Sequence, residues 1–542
     1  EALREEIRER GSAVDDVFQE DEPIKIARTL VSNMKQGTRK EQLLQLSPVI
    51  DMLQKKQLTE VAADLKPLGI DWSPPPATHK LGADPKKLLV KVSTDRAGDR
   101  ATAGEAMQLT VEVKNDDSVP VYQLRGITKS DSNYYDQREL VFGKIAPGET
   151  KTATIPLGWC ETEGRKPGST APLPLTNKRV CHLPKDAVDR QDSVVVKFAS
   201  EGSDPPAPVS LLPTIVSLPR PIFAYTFQVA DDRGGNQNGQ IERGESASIY
   251  LHVKNVGTGP SYETQANLQN LTGDGILLKA GRFDVSNMAP GESRDVTFSL
   301  DVLKSISDEE LKLSLSVTDR DIGIFAAEKL VIPLFSDKTA TAVKAISSSF
   351  QLKTEAPVLP APSDKGEAVA SLKPGSLVHG TGQVGQYVRV DLGGTRFGFV
   401  ASSALSPSPT PATKPPVLEP VFSRSPPRLE VKAAALSTRG DTMRLDVIAG
   451  DDNGGVQDAF VFVGNAKVFY KPNTQAKGKD MTFSLDAPLK PGVNVITVVA
   501  RESEDTSTRR RLIVRKDGPG GEILPTPTGE LFGEDWEFGA TE

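Results

Sequence analysis

GEAMQLTVEVKN, residues 104–115, returns as GESASIYLHVKN at residues 244–255, and IAPGETKTATIPL, residues 145–157, returns as MAPGESRDVTFSL at residues 288–300. Glu105 and Glu245 lie 140 positions apart, and Glu149 and Glu292 lie 143 apart. Two matched motifs at almost one offset mark an internal repeat. In both copies apolar residues alternate with polar ones: Leu109, Val111 and Val113 in the first, Ile249, Leu251 and Val253 in the second. A period of two places each trio on one face of an extended strand, and several such strands separated by turn residues predict an antiparallel β-sandwich. The Pro-Gly-Glu step has a conformational reason. Proline presets the first turn position and glycine accepts positive φ, so the chain reverses into the next strand.

The same alternation extends outward from the repeat. Leu88, Val90 and Val92, the stretch around Ile155, and Val194, Val196 and Phe198 complete the first sandwich, while Leu311, Leu313, Leu315 and Val317 belong to the second. The chain is expected to divide into a helical segment 1–72, sandwiches at 87–203 and 222–337, a small all-β unit at 364–405, a proline-rich linker 406–427, a third sandwich at 428–516 and an acidic, disordered tail 517–542. The fold class is therefore mainly β, with a short N-terminal α-helical segment whose Leu43, Leu44, Ile50 and Leu53 recur at helical spacing. Those apolar faces are too few for an independent core, so they are expected to pack on a neighbour outside this chain. Asp204 to Pro221, Thr354 to Ser363 and Ser406 to Pro427, the last with eight prolines, read as extended semi-rigid spacers.

The 542 residues exceed what one core organises, and 37% hydrophobic residues, 45 glycines and 41 prolines describe a turn-rich chain of several cores. No apolar run approaches the roughly 20 residues of a membrane span. The first residue is Glu1, with no apolar signal core after it, which suggests a processed or truncated product of something longer. Net charge is −7, and it resides in the tail, because no Lys or Arg follows Lys516. A neutral body with an acidic end offers phosphate backbones no electrostatic footprint, so nucleic acid is not an expected partner.

Cys160 and Cys181, the two cysteines, bracket a Gly/Pro-rich excursion, GWCETEGRKPGSTAPLPLTNKRVC. They are read as one disulfide, which favours an oxidising compartment; the alternative is two free thiols in a reducing one. Catalytic material is sparse. The four histidines show no paired spacing, and neither a GxSxG elbow nor a GxxxxGK phosphate loop occurs. GTGQVG, residues 380–385, matches a dinucleotide fingerprint but lies between strands and reads as a turn. Calcium is the one cofactor the residues suggest. Asp231, Asp232, Asn236, Asn238 and Glu245 crowd an Asn/Gly-rich loop with the oxygen donors that ion takes, although Asn238-Gly239 is equally a hairpin signal. The loop starting Asp451-Asp452-Asn453 is a weaker candidate. Leu531, Phe532, Trp536 and Phe538, set among acids, read either as a docking peptide that folds on a partner or as an inert tail.

On these residues, VEVKN followed by the APGE turn resembles the immunoglobulin-like domains of bacterial cell-envelope proteins. Residues 367–405 are similar to bacterial SH3-like domains, with Gly398-Phe399-Val400 where that family has Gly-Trp-Val, and AGDDNGGVQDAFVFVGN, residues 449–465, resembles a further bacterial immunoglobulin-like module. The stretch Asp21 to Val31, DEPIKIARTLV, with the exit LGIDWSPP at residues 68–75, resembles the segment that follows the catalytic core of carboxy-terminal processing, or tail-specific, serine proteases. That resemblance implies a periplasmic serine-lysine endopeptidase with a PDZ domain. Neither the PDZ domain nor the nucleophile and lysine segments occur in this sequence, so no catalytic residue carries over. The expected function is a non-catalytic binding and spacer region of such a protease, located in the periplasm or cell envelope, with envelope proteins or its own upstream protease domain as partners. The alternative is a stand-alone envelope scaffold or adhesin.

Overall fold

The structure is a computed structural model, and it describes residues 55–56, 58–76, 82–162, 179–336, 341–451, 455–474, 480–503 and 506–527. It is mainly β, with one short helix. The described residues form two compact units: one runs up to Pro184 and includes Asp192–Ile215, and the other combines Lys185–Gln191 with everything from Val216 onward. Most of the predicted helical segment, and the tail aromatics Leu531, Phe532, Trp536 and Phe538, lie outside the described residues.

In the first unit, a three-stranded sheet pairs Leu88–Thr94 with Met107–Asn115 and the latter with Thr150–Leu157, all antiparallel. A second sheet runs Val209–Leu211, Val194–Glu201, Val121–Ser130, Glu139–Ile145. The alternation in Met107–Asn115 translates directly into packing: Met107, Leu109, Val111 and Val113 are fully buried while the residues between them are not. Each such side chain contributes on the order of 1.5–3 kcal/mol on leaving water.

The last described part of the helical segment leads onto the first sandwich. Residues 58–65 are helical, a 3-10 turn Lys66–Leu68 follows, and Ile70 to Trp72 then lie along the strand Glu139–Ile145. Lys144 donates its amide to the Asp71 carbonyl at 2.7 Å, Gln123 donates Nε2 to the Trp72 carbonyl at 2.9 Å, and Trp72 is buried. Residues 70–72 thus dock on the first sandwich.

In the second unit, the repeat is realised as the same topology. Ser246–Asn255 sits between Phe223–Ala230 and Ser293–Val302, as Met107–Asn115 sits between its partners, and Ile276–Ala280 extends the sheet. The facing sheet pairs Glu310–Asp319 with Ile324–Phe335 and Thr264–Asn270, and Ile249, Leu251, Phe298, Leu311 and Leu313 fill the space between. The third sandwich packs Arg428–Ala433, Thr442–Gly450 and Met481–Pro488 against a sheet that includes Ser507–Lys516, Gly492–Arg501, Asp458–Val463 and Ala466–Pro472. Its edge is extended by Asp189–Gln191, which pairs parallel to Leu512 and Ile513.

The small domain is larger than residues 364–405. Lys344–Leu352 supplies a strand that pairs with both Leu377–Val384 and Leu405–Pro407, and Ala356–Val358 pairs with Ala370–Leu372. Two spacers therefore differ from the expectation. Thr354 to Ser363 contains a strand of this domain, and Ser406 to Pro427 adds Glu419–Pro420 to the edge of Ala370–Leu372. Asp204 to Pro221 likewise holds the strand Val209–Leu211. Prolines do not forbid edge strands, where no N–H is needed on the solvent side.

Candidate functional site

The acidic loop 231–245 follows the strand Phe223–Ala230 and precedes Ser246–Asn255. Asp231, Asp232 and Asn238 are buried. Asp231 accepts the amides of Asn238 at 2.9 Å and Gly239 at 3.1 Å, and Glu245 accepts those of Glu242 at 2.9 Å and Asn236 at 3.3 Å. Asn236 and Asn238 both donate their side-chain NH2 to Glu242. Burial pushes the carboxyls of Asp231 and Glu245 above their ordinary range, against the pull of these amides. Asp232 turns the other way and accepts from the hydroxyls of Tyr250 and Thr395. The five residues named from the sequence are thus neighbours in space. Four of them spend their oxygens or amides on the loop itself, and the fifth faces the small domain. Among the described residues no three His, Cys, Asp or Glu side chains are grouped to hold a metal ion. Of the weaker candidate, only Asp451 lies within the described residues, with Asp452 and Asn453 outside them.

What this loop does in the structure is join two domains. Gly239 lies against the small domain so closely that a Cβ there would stand 2.8 Å from Phe399 and 3.0 Å from the Pro360 carbonyl. Arg389 donates to the Gln237 carbonyl at 2.9 Å, Gln228 donates to the Phe397 carbonyl at 2.6 Å, and Arg396 donates to the Gln228 side chain at 2.9 Å. Ala230 and Tyr250 pack with Tyr387, Phe397 and Phe399 in one apolar cluster. Phe399, at the position the SH3-like comparison singled out, is fully buried under this contact. The GTGQVG stretch falls on the strand Leu377–Val384 and the turn after it.

The linker completes the junction. Arg424 ion-pairs with Glu328 of the second sandwich at 2.7 Å and with Glu367 of the small domain. Its carbonyl accepts the Tyr225 amide at 2.8 Å, and its guanidinium lies 4.6 Å from the Phe227 ring centroid. Phe422 packs on His252 with 5.2 Å between ring centroids and the ring planes tilted by 39°.

His252 belongs to a pair that the sequence reading missed. Its Nδ1 lies 2.6 Å from Asp295 Oδ1, beside a cavity of about 360 Å³ shared with Tyr250, Arg396 and Leu418. The two residues are direct cross-strand partners, as are Glu112 and Thr152 in the other repeat copy. Aligning the repeated strands would have found them, whereas local spacing could not. A histidine oriented by a carboxylate is one half of a proton-relay arrangement, which also needs a nucleophile at the other ring nitrogen. Among the described residues no hydroxyl or thiol bonds that nitrogen.

Cys160 and Cys181 are joined in a disulfide between the paired strands Trp159–Thr162 and Arg179–His182.

Fold and site define a mainly β protein whose domains in the second unit are latched by buried polar contacts. No protein-family profile and no curated sequence matches the chain. Among solved structures, it is similar to red sea bream transglutaminase, at 14% identity and TM-score 0.16 over 46% of this chain and 31% of that one. The secreted serine protease VesC from Vibrio cholerae is similar at 9% identity and TM-score 0.15, over 46% and 52%. Dimeric latent PorU from Porphyromonas gingivalis is similar at 9% identity and TM-score 0.17, over 80% and 34%. The chain spans between about a third and a half of these proteins, and likeness at this level carries no argument about activity.

Proposed function

We propose that this chain is the non-catalytic docking and spacer region of a tail-specific serine endopeptidase of the bacterial periplasm, its sandwiches immunoglobulin-like and its small domain SH3-like. The observation that carries the spacer role is the latch at Arg424, where a proline-rich linker is tied to both the second sandwich and the small domain. A spacer that transmits position needs such fixed junctions, since a free linker of this length samples many separations. The protease as parent rests on the resemblance of residues 21–31 and 68–75, and peptide-bond cleavage is assigned to a domain outside these residues. Reading the coding sequence upstream of Glu1 tests this: an in-frame PDZ and serine-lysine core is expected. A secretion signal directly before Glu1, with no protease core, would leave a stand-alone envelope scaffold or adhesin. In either case the purified chain is expected to leave an unfolded substrate uncut.

A further inference from the structure

In the third sandwich, strand pairing fixes which side chains share the outer face of the sheet that holds Ser507–Lys516. Across Ala466–Pro472, Asp458–Val463, Gly492–Arg501 and Ser507–Lys516, the residues Tyr470, Phe460, Val499 and Arg509 stand opposite one another in turn. Lys467, Phe462, Thr497 and Arg511 form the next row. Residues directly opposite in a ladder share a face of the sheet. The intervening Val461, Val498 and Leu512 are buried in the sandwich core, so both rows point outward.

Aromatic rings and cations are thus interleaved on one surface. Tyr470 is 50% exposed, Phe460 and Phe462 are half-buried, and Lys467, Arg509 and Arg511 are exposed. Phe460 packs on Tyr470 with 5.0 Å between ring centroids, and Lys467 Nζ lies 5.3 Å from the Phe460 centroid and 5.9 Å from that of Tyr470. Arg501 also lies over Phe460, but Asp458 accepts from its Nε at 2.8 Å and its Nη2 at 2.6 Å and neutralises it. Lys467, Arg509 and Arg511 make no ion pair among the described residues.

The chain supplies a segment of matching chemistry close by. Its last described residues run past the start of Gly492–Arg501, where Thr526 Oγ1 accepts the Val493 amide at 3.0 Å and a Cβ on Gly492 would stand 2.7 Å from Thr526. Residues 528–542 follow and lie outside the described residues. They hold five acids, no Lys or Arg, and the aromatics Phe532, Trp536 and Phe538. Val499 lies about 20 Å beyond Val493 on the same strand. Trp536, ten positions after Thr526, has an extended reach of up to about 35 Å, which covers both rows.

We propose that this sheet face is the docking site of the chain's own residues 530–538, whose rings seat against Phe460, Phe462 and Tyr470 while their carboxylates meet Lys467, Arg509 and Arg511. Cations beside exposed rings match a segment that brings carboxylates and aromatics together. Each ring that docks removes apolar area from water, and each carboxylate gains a charge-assisted partner. Tethering holds the tail at roughly millimolar effective concentration, so individually weak contacts suffice. The docked segment covers exposed aromatics of the kind that otherwise recruit other chains.

Fluorine NMR of the full chain carrying fluorotryptophan at its three tryptophans reads this contact, with the Trp536 signal assigned by Trp536→Phe. A synthetic peptide of residues 528–542, labelled in the same way, gives the free position. In the full chain the Trp536 signal is expected away from that position. It should move at least halfway back when Arg509→Gln is combined with Arg511→Gln, and when Lys467→Gln is combined with Tyr470→Ser, all at exposed positions. Raising salt from ~0.02 M to ~0.5 M should move it the same way, because exposed charges are screened. It should stay in place in Arg444→Gln, which alters a pair with Asp486 on the third sandwich's other sheet. A Trp536 signal at the free position in the wild type overturns the proposal, as does a shifted signal indifferent to both double variants. A shift that disappears on dilution places the tail on a second copy and overturns docking within the chain.

Discussion

Asn115 and Asn255 explain why the repeat ends each strand in Lys-Asn. Asn255 is fully buried and donates Nδ2 to the carbonyls of Gly259 at 2.9 Å and Met288 at 3.1 Å, while its Oδ1 accepts the Gly257 amide at 3.0 Å. Asn115 repeats the pattern with the carbonyls of Val119 and Ile145 and the Asp117 amide. The Pro-Gly-Glu turns lock onto the same place. Gly148 and Gly291, at φ +74° and +86°, donate their amides to the carbonyls of Asn115 and Asn255, and Glu149 and Glu292 accept the amides of Ala146 and Ala289. Asn255→Ala or Asn115→Ala strands buried carbonyls and is expected to cost about 2–3 kcal/mol of unfolding free energy in denaturant titration. Glu292→Ala, at an exposed turn, is expected to cost about 1 kcal/mol or less. In the acidic loop, Asp231 is saturated by amides, so thermal melts in calcium and in EGTA are expected to superimpose, while Asp231→Ala lowers the melting temperature in both. A calcium-dependent rise in the wild type, absent in Asp231→Ala, would show an ion displacing those amides.

At the scale of elements, the linker and the strand ends it touches decide how the second unit holds together. Arg424→Ala removes the shared partner of Glu328 and Glu367, and is expected to speed hydrogen exchange at the Tyr225 amide, which bonds the Arg424 carbonyl, at a cost of about 1–3 kcal/mol. Glu502 lies within the field of the same group. Burial and then Asp451 push its carboxyl up to about 7, with Arg424 opposing. The folded state therefore binds a proton that the unfolded chain has released above its ordinary value near 4.5, so stability is full below that value and falls as pH rises towards 7. Glu502→Gln is expected to raise the melting temperature at pH 8 and leave it nearly unchanged at pH 4.5. The strands of the repeat were legible because alternation such as Leu109-Val111-Val113 is a local pattern tied directly to burial. Lys344–Leu352, KAISSSFQL, was not, since its serines show no alternation and its pairing with Leu377–Val384 is set by the neighbour. The docking of Glu419–Pro420 was hidden for a related reason: proline-rich composition describes the free chain, while the contact depends on a sheet edge far away in sequence.

For the molecule as a whole, the division into units does not follow the order of the chain. Lys185–Gln191 belongs to the second unit although the residues on both sides of it belong to the first. A protein begun at Val216 therefore lacks the piece that pairs with Leu512 and Ile513, both buried, and is expected to melt at lower temperature than the same transition in the full chain. Adding a peptide of residues 185–191 in excess should restore part of the loss, which calorimetry can follow. The pair His252 and Asp295 shares this non-local character, since the two meet only once distant strands have paired. The borrowed edge has a further consequence for biogenesis. The strand Ser507–Lys516 emerges from the ribosome some 320 residues after the segment it pairs with, so the nascent polypeptide must keep that segment available while the residues between are made. The domains of the second unit therefore do not close as beads one by one, because the sheet that takes in Asp189–Gln191 waits for Ser507–Lys516.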